Sequence, residues 1–178
     1  MLEIMFNFFL LTKRYILITL LIILNIGCVN NKNGIYIGNQ DSGRIENFDS
    51  TEIRKRHLDY LNALRLERGL TTLLISNSLN SSAATHARDI FKQQRAWNFG
   101  SDGSSPQKRA EVSGFNGVVT GENVSETYEG EFLVLQVWLK NSLSRNVLLN
   151  NEATHLGLGW YQQENGKIWW VQVLGLQK

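Results

Sequence analysis

The chain holds a single cysteine, Cys28, among 178 residues. An intrachain disulfide is therefore excluded, and the folded part must hold together without covalent staples. Surplus charge is also scarce: 18 Lys and Arg face 16 Asp and Glu, a formal net charge of +2. That near-balance leaves no electrostatic footprint for nucleic acid. Internal repeats are absent. Apolar side chains are not scarce. At 43% hydrophobic and 19% charged, the composition argues against disorder, and the length suits one domain with a real core.

The N-terminus differs in kind from the rest. Lys13 and Arg14 precede the apolar run Tyr15 to Ile26, and Gly27 and Cys28 follow it. The run is shorter than the ~20 residues of a spanning helix, and extending it backward would bury Lys13 and Arg14 in the membrane. A positive segment, a short apolar segment and a small residue at the cut describe a secretory signal over residues 1–27. The lone cysteine at that cut resembles a bacterial lipobox, although Asn25 stands where a strict box has Leu and Leu24 is one place early. Lipid on Cys28 would anchor the chain to a membrane. The alternative is an uncleaved anchor with a buried free thiol.

Residues 28–49 are rich in Asn, Gly and Asp without apolar periodicity, and read as a flexible tether. From Ser50 the pattern changes. Asp49 to Glu52 has the form of a capping box, Ile53, Tyr60, Leu61 and Leu64 recur at helical spacing, and Gly69 supplies a stop. A second helix is expected over 78–94, with Leu79, Ala83, His86 and Ile90 on its inner stripe. The run Gly100 to Pro106 reads as a tight turn. A short irregular or strand region should follow through Val124, and a third helix over 130–141. Period-two alternation then marks strands over 154–162 and 167–176, joined by the turn former Asn165-Gly166. Residues 50–178 are thus expected to fold as one α+β domain. Trp169 and Trp170 are adjacent in a strand and must face opposite sides.

Taken in order, LNALR followed by RGL, the turn GSDGSSP, GEN at 121–123, Trp138 and THLGLG resemble the CAP superfamily of cysteine-rich secretory, antigen 5 and pathogenesis-related 1 proteins, and in particular its bacterial secreted branch. The resemblance covers residues 50–178 and implies an α-β-α sandwich with a central antiparallel sheet. It also implies a cleft with two His and two Glu, which bind a divalent metal in some members. Carried over, those positions fall on Asn98, Glu122, Asn141 and His155. Glu122 and His155 are kept, whereas Asn98 and Asn141 replace ionisable groups with amides. The bacterial branch's His-Arg pair falls on Ser144 and Arg145. Asn is a poor zinc ligand, so no metal, cofactor or catalytic residue is expected, and the cleft reads as vestigial.

The remaining polar residues have plainer readings. His57 is expected to be exposed or half-buried, and His86 to be a hydrogen-bonded core or boundary residue. His155 is either a functional relic or a structural partner of Glu122. Arg54, Lys55 and Arg56 with Arg65 and Arg68 read as a solvated face, with a membrane-surface or glycosaminoglycan contact as the alternative. The resulting expectation is a lipid-anchored binding module at a bacterial outer membrane or cell surface. The resemblance suggests a sterol or fatty acid as its ligand, or a host or envelope protein as its partner. The alternatives are a divergent hydrolase using Glu122 and His155, or a protein–protein interaction domain.

Overall fold

The structure is a computed structural model, and it describes Ile45, residues 50–127 and residues 130–178. All of these belong to a unit spanning Gly38–Lys178. The expected signal segment, Cys28, Asp49 and almost all of the expected tether lie outside the described residues. No described helix is long and apolar enough to cross a membrane.

The first helix, α1, spans Ser50–Leu66 and buries Ile53, His57, Leu61 and Arg65, one residue per turn. It stops as expected: Gly69 takes φ 69°, and the Leu70 N–H closes onto the Arg65 carbonyl at 3.0 Å. The two-residue strand β1, Leu74–Ile75, leads into α2, Asn77–Gln93. The Ser76 hydroxyl caps α2 by accepting from the Leu79 N–H, and Gln94 ends it in the left-handed conformation.

Two short helices escaped the sequence reading because seven residues do not establish a period. These are α3, Pro106–Val112, capped by Ser105, and α5, Ser142–Leu148, capped by Asn141. Between them lie β2, Gly117–Thr127, and α4, Glu131–Lys140. The region expected to be irregular or a strand through Val124 is an eleven-residue strand that runs on to Thr127, paired along its length with the C-terminal strand. The strands β3, His155–Gln162, and β4, Ile168–Gln177, form the predicted hairpin. Gly166 takes φ 88° at its turn.

Among the described residues the sheet order is β1-β3-β4-β2. The three long strands are antiparallel, but β1 runs parallel to β3, so the sheet is mixed. β4 is its middle and is covered on both faces. Trp169, Val171 and Val173 pack against Leu79, Ala83, Ala87 and Ile90 of α2. Ile168, Trp170 and Leu174 pack against Leu61, Leu135, Trp138 and Leu148 on the other side. Both tryptophans face opposite ways, as strand geometry requires, and both are fully buried. The result is the expected α-β-α sandwich.

The Leu-Gly alternation of β3 has a specific cause. A Cβ on Gly157 would lie 2.2 Å from the backbone carbon of Leu79, and one on Gly159 2.2 Å from the Ala84 nitrogen. The glycines let α2 rest directly on the strand, while Leu156 and Leu158 fill the opposite core. At that contact Asn80 Oδ1 accepts from the Leu158 N–H at 2.9 Å.

Two charged or titratable residues expected near solvent are buried. Arg65 is not on a solvated face: it donates to the carbonyls of Thr71, Leu148, Asn150 and Ala153. Three of these bonds tie α1 to the end of α5 and the loop before β3, supplying donors to backbone oxygens there. His57, 1% exposed, stands edge-on to Trp138. Its Nδ1 lies 3.3 Å from the Glu131 carbonyl, and its Nε2 lies 2.7 Å from Nε2 of Gln172.

Candidate functional site

The turn after α2 is rigid. The Gly100 N–H donates to the Ser104 carbonyl at 2.9 Å and the Gly103 N–H to the Gly100 carbonyl at 2.9 Å. Asp102 Oδ1 accepts from the Ser104 N–H. Asp89 on α2 accepts from both the N–H and the hydroxyl of Ser101, at 2.8 and 2.5 Å, which fixes the turn to the helix. Gly103 takes φ 77°, which glycine adopts at low cost. The Ser/Gly run is therefore an ordered support that aims Asn98.

Asn98 Nδ2 donates to both the backbone carbonyl and the carboxylate of Glu122, each at 3.1 Å. Glu122 projects from β2 toward the α2 face, and its side chain is 1% exposed. Arg109 of α3 reaches the same carboxylate with Nη2, at 2.7 Å to Oε1 and 2.9 Å to Oε2. It also donates to the carbonyls of Ser104 and Asn98. His86 completes the cluster. Its Nε2 donates to the Trp97 carbonyl at 2.9 Å and lies 3.7 Å from Glu122 Oε1.

Burial pushes the Glu122 carboxyl up, against the pull of the Arg109 guanidinium and the Asn98 bond. Burial, and then the charge of Arg109, lower His86 to about 4. A neutral ring with its Nε2 proton on Trp97 leaves Nδ1 as a buried lone pair without a hydrogen bond. The cluster is one carboxylate sealed by a guanidinium and an amide.

The other two expected site residues are held elsewhere. Asn141 is exposed, and its Oδ1 accepts from the Ser144 N–H at 3.0 Å as the cap of α5. His155 bonds Thr154 through Nδ1 at 2.9 Å, so the structural alternative that paired it with Glu122 is replaced by a local one. Asn98 and Glu122 are brought together, whereas Asn141 and His155 each serve the ends of their own elements.

This donor set does not fit a divalent metal. A cation already occupies the Glu122 carboxylate, and the amide that replaces an imidazole donates to the carboxylate instead of offering a lone pair. Among the described residues no group of three or more His, Cys, Asp or Glu stands close enough to hold a metal ion.

Sequence reasoning missed Arg109 and Asp89. Arg109 carries no motif, but the cap Ser105 and Pro106 just before it marks the helix that delivers it. The spacing of His86 and Asp89, three apart on one helix face, was the available signal for the latter. A second polar line crosses the opposite core, where Asn123 Nδ2 donates to the Ser144 carbonyl at 3.1 Å and to Gln172 Oε1 at 3.4 Å. Its signal was Gln172, a polar residue inside the otherwise apolar run 168–176.

A three-layer sandwich whose GEN strand carries a buried carboxylate beneath a serine-rich turn defines a recognisable class of domain. The chain belongs to the cysteine-rich secretory protein (CAP) family, whose model matches residues 58–174. It is 27% identical over 121 residues to the Bacillus subtilis protein YkwD, an alignment that covers 68% of this chain and 46% of that protein. The chain thus spans less than half of that curated relative. Among solved structures it superposes on an outer surface protein of Borrelia burgdorferi with TM-score 0.62 and 18% identity, covering 73% of this chain and 96% of that one. It superposes on an extracellular SCP-domain protein of Bacillus anthracis with TM-score 0.65 and 20% identity, covering 77% and 45%. At these identities the superpositions speak for the fold.

Proposed function

We propose that this chain is a CAP-domain binding module displayed at a bacterial cell surface, anchored through lipid on Cys28, with no metal-dependent chemistry. The observation that carries the reading is the state of Glu122. The one acidic group kept from the family's polar site is buried and neutralised by Arg109 at 2.7 Å. A base or metal ligand needs a free lone pair facing substrate. Surface display draws support from relatives described as an outer surface protein and an extracellular protein. Anchoring draws on the apolar run that ends at Cys28.

Zinc titration by calorimetry tests the loss of metal chemistry. No tight site is expected, and sub-micromolar binding abolished by His155→Ala would refute it. Palmitate labelling in cells should be lost in Cys28→Ala, and labelling that survives would sink the anchor. A labelled fatty acid or sterol should bind saturably at micromolar protein if the ligand is a small hydrophobic molecule, and a flat titration excludes that ligand. The hydrolase alternative needs Glu122 and His155 to act together; turnover lost on Glu122→Ala would restore it.

A further inference from the structure

We propose that the second half of the β2 edge, with the outer flank of α4, is a docking groove for an extended peptide of a partner protein, bound as an additional strand. The inference rests on the surface-module reading and names the partner class.

Among the described residues β2 is an edge strand, so every second residue turns its N–H and C=O away from the sheet. In its first half, side-chain amides stand in for a neighbouring strand. Gln107 Oε1 accepts from the Val119 N–H at 2.7 Å, and Gln107 Nε2 donates to the Gly117 carbonyl at 3.2 Å. Asn98 donates to the Glu122 carbonyl at 3.1 Å. A register shift between Val119 and Gly121 moves the outward row by one residue, which is why 117 and 119 are followed by 122. The same row continues at Val124 and Glu126. There the capping stops: among the described residues, no side chain or outside backbone group pairs with the outward groups of these two.

The open stretch of edge borders a groove of about 280 Å³, lined by Ser125, Glu126, Leu133, Val134, Val137 and Lys140 among others. Leu133 and Val137 lie one helical turn apart and are 40% and 57% exposed, while Val134, Leu135 and Trp138 fasten α4 to the core. Ser125 pairs with Trp170, whose side chain packs in the core on the α4 side. A strand added beside 124–126 therefore places alternate side chains on the Leu133 and Val137 wall. Glu126 is engaged by Lys167 at 2.8 Å. The Lys140 ammonium has no carboxylate partner among the described residues, so the complementary occupant carries a carboxylate at that end. The groove thus specifies main-chain pairing, an apolar residue at every second position and one negative charge.

The test uses the full chain with its N-terminal segment in place. A library of short peptides with free C-termini is panned against it, and the selected peptides are measured by fluorescence anisotropy. Selection should yield alternating apolar and polar residues with one carboxylate. Affinity should fall at least about tenfold on Val137→Glu and at least about threefold on Lys140→Glu. It should be unchanged on Leu143→Glu, an exposed leucine outside the groove. Methylating single peptide amides should weaken binding by about tenfold at every second position and by less than about twofold between, a pattern that apolar contact alone does not produce.

The proposal is overturned if no peptide is selected, if affinity survives Val137→Glu, or if methylation shows no alternation. Equilibrium sedimentation showing a dimer abolished by Val137→Glu would also overturn it, by assigning the groove to a second copy. Protease shaving of intact cells reads surface display separately, so failure of the groove and failure of the surface-module reading are distinguishable.

Discussion

Mild acid is expected to destabilise this domain through two buried histidines. Burial lowers His57 and His86 from 6.5 to about 4 each. The unfolded chain then takes up protons near pH 6.5, whereas the native chain resists them until near pH 4. The stability associated with the neutral rings is complete above pH 6.5 and is lost as pH falls toward 4. At pH 5 the loss is about 2 kcal/mol per ring, and about 4 kcal/mol for the pair. That is a large share of the roughly 5–15 kcal/mol that holds a domain folded.

The geometry explains why neither ring accepts a proton readily. With His57 donating from Nδ1 to the Glu131 carbonyl, its Nε2 must accept from the Gln172 amide. A proton on Nε2 would set two donors against each other and force Gln172 to turn its oxygen away from Asn123. For His86 the new proton would add positive charge beside Arg109, with Asp89 Oδ2 4.0 Å away. Glu122 works with the opposite sign. Its carboxyl is raised by burial, so its contribution is present at low pH and lost as pH rises through its folded value. It offsets part of the histidine loss, and the comparison is therefore best made between variants.

Urea unfolding followed by tryptophan fluorescence at pH 7 and pH 5 measures the effect, since Trp169 and Trp170 are fully buried. His57→Gln and His86→Gln should each remove about half of the histidine pH dependence, and the double variant nearly all of it. If both single variants keep the full pH dependence of the parent chain, the assignment to these rings is wrong.

Other outcomes follow from the same contacts. Arg109→Met strands a buried carboxylate and should cost about 3–5 kcal/mol in thermal or urea unfolding, with Glu122→Gln in the same chain recovering most of it. Arg65→Met removes the donor to four carbonyls and should cost about 3 kcal/mol while leaving surface charge chemistry unchanged. Gly157→Ala forces a Cβ to within 2.2 Å of the Leu79 backbone and should cost about 1–3 kcal/mol. Gly166→Ala, which has open space but φ 88°, should cost only about 1 kcal/mol.

Much of the fold was legible in the sequence because it rests on local rules. Helical spacing located α1 and α2, and Gly69 and Asn165-Gly166 marked a helix stop and a turn. Period two located β3 and β4, and adjacent tryptophans announced a strand with two faces. The seven-residue helices α3 and α5 give no period, and the β2 pairing is a long-range contact that no local pattern specifies. The site divides in the same way. Asn98 and Glu122 were found from motif order, whereas Arg109 was not, because the chain brings it to Glu122 only when α3 docks beside β2.

The sequence by itself determined which residues form regular elements, that the folded part has no disulfide, and that two positions of an expected polar cleft carry amides. Only the tertiary structure decided what those amides do. Asn98 donates to a carboxylate and Asn141 caps a helix, because an amide takes its role from whichever backbone or side chain surrounds it. The same holds for charge. Arg65 reads as part of a solvated face and His57 as exposed or half-buried, yet both are buried, because the packing of α1 against the sheet, and not local composition, decides which face of the helix meets the core.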